Sequence, residues 1–293
     1  MLLVPFVVSD FLSMRHEHTW KLLRNAIQLG KRTSIMGILN VTPDSFSDAG
    51  QYFALEKAVA RGLEMEQEGA DIIDIGGESS RPGSEAVPEE EEMRRAVPVI
   101  ERLAGAVKIP ISIDTYRANV ARRALEAGAQ VVNDISAFRF DERMPEVVRD
   151  YGAGVVLMHS RGTRETLHKQ GRMSDPVGEV SGILAQSAEQ AVSAGVPAEA
   201  IAIDPGIGFG KSAEESVAIL KSLNVFSKIR YPVLVGTSRK SFIRLMTSNN
   251  IEEVRIWGTA ATVVAAIMNG AHILRVHDVR QTRVLADVSD RLV

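Results

Sequence analysis

The chain contains no cysteine among its 293 residues, which excludes disulfides, thiolate metal ligands and a cysteine nucleophile. No apolar run approaches the about 18 residues that a membrane-spanning helix needs. The formal net charge of −3 comes from well-mixed charges of both signs, which argues against the basic face of a nucleic-acid-binding protein. These absences fit a reducing cytosol, so we expect a cytoplasmic protein whose partners include neither a membrane nor a nucleic acid.

The sequence also lacks the usual signatures of covalent and metal catalysis. It has no glycine-flanked serine elbow, no HExxH zinc pattern and no GxxxxGK(S/T) phosphate loop. The glycines of residues 206–210 resemble half of a dinucleotide fingerprint but lack its spacing and its helix start. A reaction without a nucleophile depends on electrostatics and positioning, and we expect chemistry of that kind.

The apolar N-terminal segment, residues 1–8, does not have the features of a signal peptide. No basic residue precedes it, and Ser9 and Asp10 interrupt it. A signal peptide needs a positive start, a longer apolar core and a small-residue cleavage site. We therefore expect an extension without a role in the fold.

From residue 34 onwards, short apolar runs alternate with longer amphipathic stretches. The short runs predict eight strands, over residues 34–39, 71–76, 110–113, 130–132, 154–158, 200–203, 231–236 and 271–276. The intervening stretches predict helices over residues 52–68, 88–103, 117–126, 144–150, 177–194, 213–226 and 251–269, with a last helix after the eighth strand. Short, continuous apolar strands are typical of a parallel sheet covered by helices.

Eight strand–helix units predict the α/β class and closure into a (β/α)8 TIM barrel. A doubly wound open sheet is the alternative, but the count of eight favours the barrel. No linker is visible, so we predict one barrel domain over residues 34–293. Residues 1–33 are predicted to form an N-terminal extension and a plug for the barrel bottom. Within the plug, residues 19–32 suit either a hairpin or a helix.

In such a barrel the chemistry lies at the C-terminal ends of the strands. Nearly every predicted strand ends in a polar side chain. These are Asn40, Ser80 with Arg81, Asp114, Asn133, His159, Asp204, Lys240, and Arg275 with His277. Any one of them could be a turn or helix cap, but the complete ring indicates a binding site.

Part of this ring suits a flat heterocycle. Asp114, Asn133 and Asp204 offer acceptors and an amide, which suit the N–H donors of an aminopyrimidinone ring. Lys240 could bond a ring carbonyl or a carboxylate. The alternative for Asp114 is a cap on the helix that begins near residue 116, and the alternative for Asp204 is a turn before a glycine-rich loop.

Another part of the ring suits an anion. Arg275 and His277 are two residues apart, so they point the same way from a strand. With Asn40 and Ser80 they suit a phosphate accompanied by a hard cation, and Asn40 is a candidate oxygen ligand for Mg2+. The alternative for the pair is a surface ion pair with Asp278.

Five segments carry a resemblance to a known family. They are residues 36–48 (MGILNVTPDSFSD), 74–83 (DIGGESSRPG), 204–211 (DPGIGFGK), 236–242 (GTSRKSF) and 275–279 (RVHDV). In this order they resemble the motifs of bacterial dihydropteroate synthase. The resemblance implies a (β/α)8 barrel, usually a homodimer, that condenses 6-hydroxymethyl-7,8-dihydropterin diphosphate with 4-aminobenzoate. It also implies inhibition by sulfonamides that compete with 4-aminobenzoate.

The resemblance also assigns roles to individual residues. It implies that the pterin is held by Asp114, Asn133, Met158, Asp204, Lys240 and Arg275. It implies that the diphosphate is held by Asn40, Ser80, Arg275 and His277, with Mg2+ beside Asn40. The implied aminobenzoate pocket consists of Phe46, Ser80, Arg81, Pro82, Phe209 and Ser238. The implied catalytic residues are Asp114, Asp204, Lys240 and Arg275, acting in a dissociative reaction in which diphosphate leaves before the arylamine attacks.

The chain departs from the family pattern at three places. Ser80 stands where threonine is usual, which keeps the hydroxyl, and Ala49 replaces a common glycine in the first loop. About 18 N-terminal residues have no counterpart. Two rivals share the implied barrel: a pterin-binding methyltransferase domain and an inactive pterin-binding protein.

Overall fold

The structure of the protein is a computed structural model that describes residues 15–42, 51–79, 84–167, 169–247 and 252–293. Its strands are β1 His18–Lys21, β2 Ala26–Leu29, β3 Ser34–Asn40, β4 Ile72–Gly76, β5 Ile111–Asp114, β6 Val131–Asp134, β7 Gly154–Met158, β8 Ile201–Asp204, β9 Leu234–Val235 and β10 Ile273–Val276. Its α-helices are α1 Gln51–Gln67, α2 Glu89–Ala104, α3 Ala118–Ala127, α4 Met144–Tyr151, α5 Pro176–Ser193, α6 Ala213–Lys221, α7 Ser241–Leu245, α8 Glu252–Met268 and α9 Val279–Ser289. Within these ranges no helix is long and apolar enough to cross a bilayer.

The eight strands from β3 to β10 form one parallel sheet in the order β8-β7-β6-β5-β4-β3-β10-β9. A parallel bridge between Ile203 and Val233 brings the two ends of this order together. The predicted (β/α)8 barrel is confirmed, and the doubly wound open sheet is wrong because its two edge strands would not meet.

The seventh barrel strand is shorter than the predicted residues 231–236. β9 contains only two residues, because the backbone just before it does not form the regular hydrogen bonds of a parallel strand pair. The Val233 N–H donates to His272 Nδ1 at 3.1 Å, and Pro232 has no N–H to donate. The Pro232 carbonyl still accepts from the Ile203 N–H at 2.9 Å, so the barrel remains joined there.

The predicted helix over residues 213–226 also differs from the structure. A capping box between Ser212 and Glu215 begins α6, but the helix ends at Lys221. A 3-10 helix, Leu223–Ile229, follows and buries Leu223 and Phe226. Apolar residues recur every three to four positions in both the α-helix and the 3-10 helix. The sequence pattern alone therefore predicts one continuous helix.

An antiparallel hairpin of β1 and β2 covers the N-terminal end of the barrel, so the hairpin alternative is the observed one. Trp20 is completely buried, and its Nε1 donates to the Ala200 carbonyl at 2.8 Å. Residues of the hairpin and of the barrel strands form one apolar cluster at this end, the bottom cluster. It consists of Trp20, Leu22, Leu29, Met36, Ile72, Val131, Val156, Ala202, Leu234 and Ile273. Arg15 and Asp290 form a partly buried ion pair of 2.6 Å that links the chain before the hairpin to the end of α9. The boundary at residues 33/34 stays a prediction.

The barrel interior changes character along the strands. Side chains two residues apart share one face of a strand. Ile72, Val131, Ala202 and Ile273 form part of the apolar cluster at the bottom. Two residues further along each strand lie Asp74, Asn133, Asp204 and Arg275, in that order. An apolar layer therefore lies below a polar layer, and the polar layer forms the floor of the open C-terminal end.

We expect Trp20→Ala to lower the free energy of unfolding by about 3–5 kcal/mol, because it removes the largest side chain of the bottom cluster. Trp20→Phe keeps most of the apolar volume but leaves the buried Ala200 carbonyl without its donor, so a smaller loss of about 1–3 kcal/mol is expected. Urea unfolding of the wild type and both variants measures these differences. A loss below about 1 kcal/mol for Trp20→Ala would contradict the closed floor.

Candidate active site

Arg275 forms the centre of the polar layer. Its Nε donates to Asp74 Oδ2 at 2.6 Å, and its Nη2 donates to Asp114 Oδ2 at 2.5 Å. Asn133 Nδ2 donates to the same Asp74 oxygen at 3.0 Å. Four polar side chains from four strands are thus joined at one end of the barrel. Asp74 was not among the predicted site residues, although a carboxylate inside an apolar strand is a signal that could have found it.

Two alternatives from the sequence are wrong. Asp114 does not cap α3, because the Ala118 N–H at the start of that helix donates to Asp141 Oδ2 at 2.9 Å. Asp278 does not pair with Arg275, because it accepts from Arg239 at 2.5 Å. Asp114 and Arg275 therefore pair with each other at the barrel mouth.

The charges of this group depend on one another. Burial raises the pKa of Asp114 to about 7, even though the charge of Arg275 opposes that change. Burial alone would lower the pKa of Arg275, but the charges of Asp74 and Asp114 outweigh it and raise that pKa. Asp114 thus exchanges a proton near neutral pH while the arginine stays charged.

Asp204 forms the turn that the sequence offers as one of its two roles, and its role as a ligand acceptor stays a prediction. Its Oδ1 accepts the Gly206 N–H at 2.7 Å, which is the local turn. Burial raises its pKa, and the positive charge of Lys240 opposes that increase. The turn thus orients a carboxylate that also interacts with Lys240.

Lys240 lies against the glycine-rich loop. Its Nζ donates to the Ile207 carbonyl and lies 4.4 Å from the centroid of the Phe209 ring. A Cβ atom at Gly208 would lie 3.0 Å from the Lys240 side chain, so glycine leaves room for this approach. Burial lowers the pKa of Lys240 to about 8.

Lys211 binds the same glycine-rich loop, residues 206–210, and was not among the predicted site residues. Its Nζ donates to the carbonyls of Gly206 at 2.9 Å and Phe209 at 3.1 Å, and lies 2.9 Å from His159 Nδ1. Burial, aided by the Lys211 charge, lowers the pKa of His159 to about 2, so the imidazole is neutral. His159 therefore belongs to the base of the loop, although its position at a strand end suggested a ligand contact.

The remaining predicted residues divide into two groups. Ser238 Oγ lies 3.1 Å from His277 Nδ1, so these two side chains are brought together. Met158 packs in an apolar cluster to which Phe209 contributes, with Ile135 and Leu167 as its other buried members. The site therefore has a polar wall and an apolar wall.

Asn40 ends β3 beside the polar layer. A Cβ atom at Gly76 would lie 3.8 Å from Asn40 Oδ1 and 3.7 Å from Asp114 Oδ2, so both oxygens border the same small space. In the part of the chain that the structure describes, no group of three or more His, Asp or Glu side chains could hold a metal. Phe46, Ser80, Arg81 and Pro82 lie outside the described residues.

The comparisons with known proteins agree with this architecture. The family model described as "Pterin binding enzyme" matches residues 36–277. The dihydropteroate synthase of Synechocystis sp. is 46% identical over 90% of this chain and 91% of its own length. The structure of Xanthomonas albilineans dihydropteroate synthase with 4-aminobenzoic acid is 42% identical, with a TM-score of 0.84 over 91% of this chain and 95% of that one. A structure of the same enzyme with 7,8-dihydropteroate is 41% identical, with a TM-score of 0.80 over 89% of this chain and 94% of that one.

Proposed function

Because the chain belongs to the dihydropteroate synthases of the pterin-binding enzyme family, we propose that it joins a pterin diphosphate to 4-aminobenzoate. The substrates are 6-hydroxymethyl-7,8-dihydropterin diphosphate and 4-aminobenzoate, and the products are 7,8-dihydropteroate and pyrophosphate. The observation that carries this proposal is the polar layer, in which carboxylates and an amide surround a half-buried arginine at the C-terminal end of the barrel. Structures of a related enzyme contain 4-aminobenzoic acid and 7,8-dihydropteroate, which supports the choice of substrates.

The pterin ring lies on the polar layer in this proposal. Asp114, Asn133 and Asp204 accept its N–H donors, and Lys240 donates to its carbonyl oxygen. Met158 packs against the apolar part of the ring. All five side chains come from the ends of barrel strands or from the loop after β9, so a rigid scaffold places them.

The diphosphate interacts with Arg275 and His277, together with Ser80 from outside the described residues. Mg2+ fits beside them, because the amide oxygen of Asn40 faces a space that substrate phosphate oxygens could share. When bound, the ion neutralises charge on the departing diphosphate. Phe209 and Ser238 border the 4-aminobenzoate pocket, which Phe46, Arg81 and Pro82 complete.

The proposed reaction is dissociative. The bond between the pterin methylene carbon and the diphosphate oxygen breaks first, and its electron pair leaves with the diphosphate. The carboxylates of Asp114 and Asp204 stabilise the resulting pterin-methyl cation by their negative charge. The arylamine nitrogen of 4-aminobenzoate then forms the new C–N bond and releases a proton. This route needs no enzyme nucleophile.

We also propose that the enzyme is a homodimer that forms through α8 and α9. These two helices pack against each other and leave large apolar side chains exposed. Trp257 is 69% exposed and Ile256 55% on α8, while Val284 and Val288 are one turn apart on α9. A second copy of the chain would cover these apolar side chains.

Pyrophosphate release should depend on the presence of both the pterin diphosphate and 4-aminobenzoate. Asp204→Ala should lower kcat/KM by about 100-fold or more, because it removes a charge that stabilises the transition state. The matched control is Asp150→Ala, which removes an exposed carboxylate on α4 and should leave the rate unchanged. Multiple-turnover release at an equal rate without 4-aminobenzoate, or no release despite pterin binding, would refute the synthase reaction.

Inhibition by a sulfonamide should be relieved by added 4-aminobenzoate, because both occupy the pocket beside Phe209. Steady-state rates over a grid of the two concentrations measure this competition. Inhibition that excess 4-aminobenzoate leaves unchanged would contradict a shared pocket.

We expect a bell-shaped dependence of kcat/KM on pH. Protonation removes the negative charge with which Asp114 stabilises the pterin-methyl cation, so activity falls as pH drops below about 7. Lys240 donates as an ammonium, so activity falls again above about pH 8. Lys240→Arg should remove the alkaline limb, since arginine stays protonated. A flat wild-type profile between about pH 6 and about pH 9 would contradict these assignments.

Val288→Glu should shift the protein from dimer to monomer, because it places a charge within the exposed surface on α9. Val192→Glu is the matched control, since Val192 is exposed on α5, away from α8 and α9. Sedimentation velocity at micromolar concentration measures the assembly. A monomeric wild type, or equal behaviour of the two variants, would exclude this interface.

A further inference from the structure

Asp74 is the most deeply buried member of the polar layer. It is 0% exposed and lies on β4 between two buried isoleucines. One of its oxygens, Oδ2, accepts from both Arg275 Nε at 2.6 Å and Asn133 Nδ2 at 3.0 Å. Its other oxygen, Oδ1, is buried and has no hydrogen-bond partner among the described residues. An unpartnered buried oxygen destabilises a fold, so stability alone does not account for a carboxylate here.

The chemistry of this contact determines how Asn133 is oriented. A carboxylate paired with a guanidinium accepts hydrogen bonds and donates none. The Asn133 amide must therefore turn its NH2 group towards Asp74, which leaves its carbonyl oxygen, Oδ1, on the opposite side. Neighbouring Asp134 does not compete for this amide, because its oxygens accept from Ser136 and from the Phe138 N–H.

We propose that Asp74 is a positioning residue that fixes the polarity of the Asn133 amide and so makes the site select a ring with an N–H donor. The proposal rests on the proposed function, because the ring in question is the pterin. An amide at position 74 would offer both a donor and an acceptor. Asn133 could then bind in either orientation, and the site would accept a ring acceptor as readily as a ring donor.

Direct binding tests this inference without turnover. Calorimetry with the full chain measures the Kd of pterin and of three analogues: 2-desaminopterin, lumazine and 3-methylpterin. The first two lack the 2-amino group and the third lacks the N3–H. We expect the wild type to prefer pterin over at least one analogue by tenfold or more, because a site built around a hydrogen bond rejects a ligand that cannot make it. Asp74→Asn should reduce that ratio at least fivefold.

A buried neighbour provides the matched control. Ser112 lies opposite Asp74 on β5, and its hydroxyl is buried without a hydrogen-bond partner among the described residues. Ser112→Ala changes the same part of the barrel interior but leaves the contact between Asp74 and Asn133 intact. Its pterin-to-analogue ratio should equal that of the wild type.

The exchanged pair Asp74→Asn/Asn133→Asp separates orientation from stability. The amide at position 74 then donates to the carboxylate at position 133, and the net charge is unchanged. The second oxygen of that carboxylate again accepts from the ring, so selectivity for pterin should return.

An unchanged ratio in Asp74→Asn, or a ratio that the exchanged pair does not recover, would overturn the proposal. Loss of the folded state in both Asp74→Asn and the exchanged pair would assign Asp74 a structural role and overturn it as well. A wild type that binds none of the four rings would instead refute the proposed function.

Discussion

A single half-buried cation, Arg275, holds the polar layer of this barrel together. The Arg275 guanidinium joins Asp74 to Asp114, and both carboxylates lie above an apolar floor. Two buried carboxylates resist ionisation unless a positive group accompanies them. Burial raises the pKa of Asp114 to about 7, although the charge of Arg275 opposes that increase. Loss of Arg275 would leave both carboxylates without their shared positive partner, so the three residues act as a unit.

The alternation of side chains along a strand explains how these charges come to lie beside a hydrophobic core. Ile72 and Asp74 both point into the barrel, about 7 Å apart along β4. Val131 and Asn133 repeat the arrangement on β6. One step of two residues therefore leads from the packed interior to the ligand site. The backbone that positions the polar groups is the same backbone that buries the core.

The sequence was sufficient for the barrel and for most strand ends, because apolar runs bounded by polar residues mark both. It was not sufficient for the partners of those ends. The carboxylate nearest to Arg275 along the chain is Asp278, whereas its observed partner Asp74 is 201 residues away. Asp74 itself lies in the middle of an apolar run, and only the register of the sheet shows that it faces inward. Similarly, nothing local to Lys211 indicates that its ammonium group contacts His159.

The hairpin at the N-terminal end of the barrel determines the order in which the two substrates can bind at the other end. Trp20 and the apolar cluster close one end, so every molecule that reaches the polar layer enters and leaves through the other. In the proposed reaction the pterin lies on the polar layer, and 4-aminobenzoate lies beside Phe209, further from the apolar cluster. In a cavity with a single opening, the ligand that lies deeper must bind first. The pterin diphosphate must therefore bind before 4-aminobenzoate, because bound 4-aminobenzoate would block its access to the polar layer.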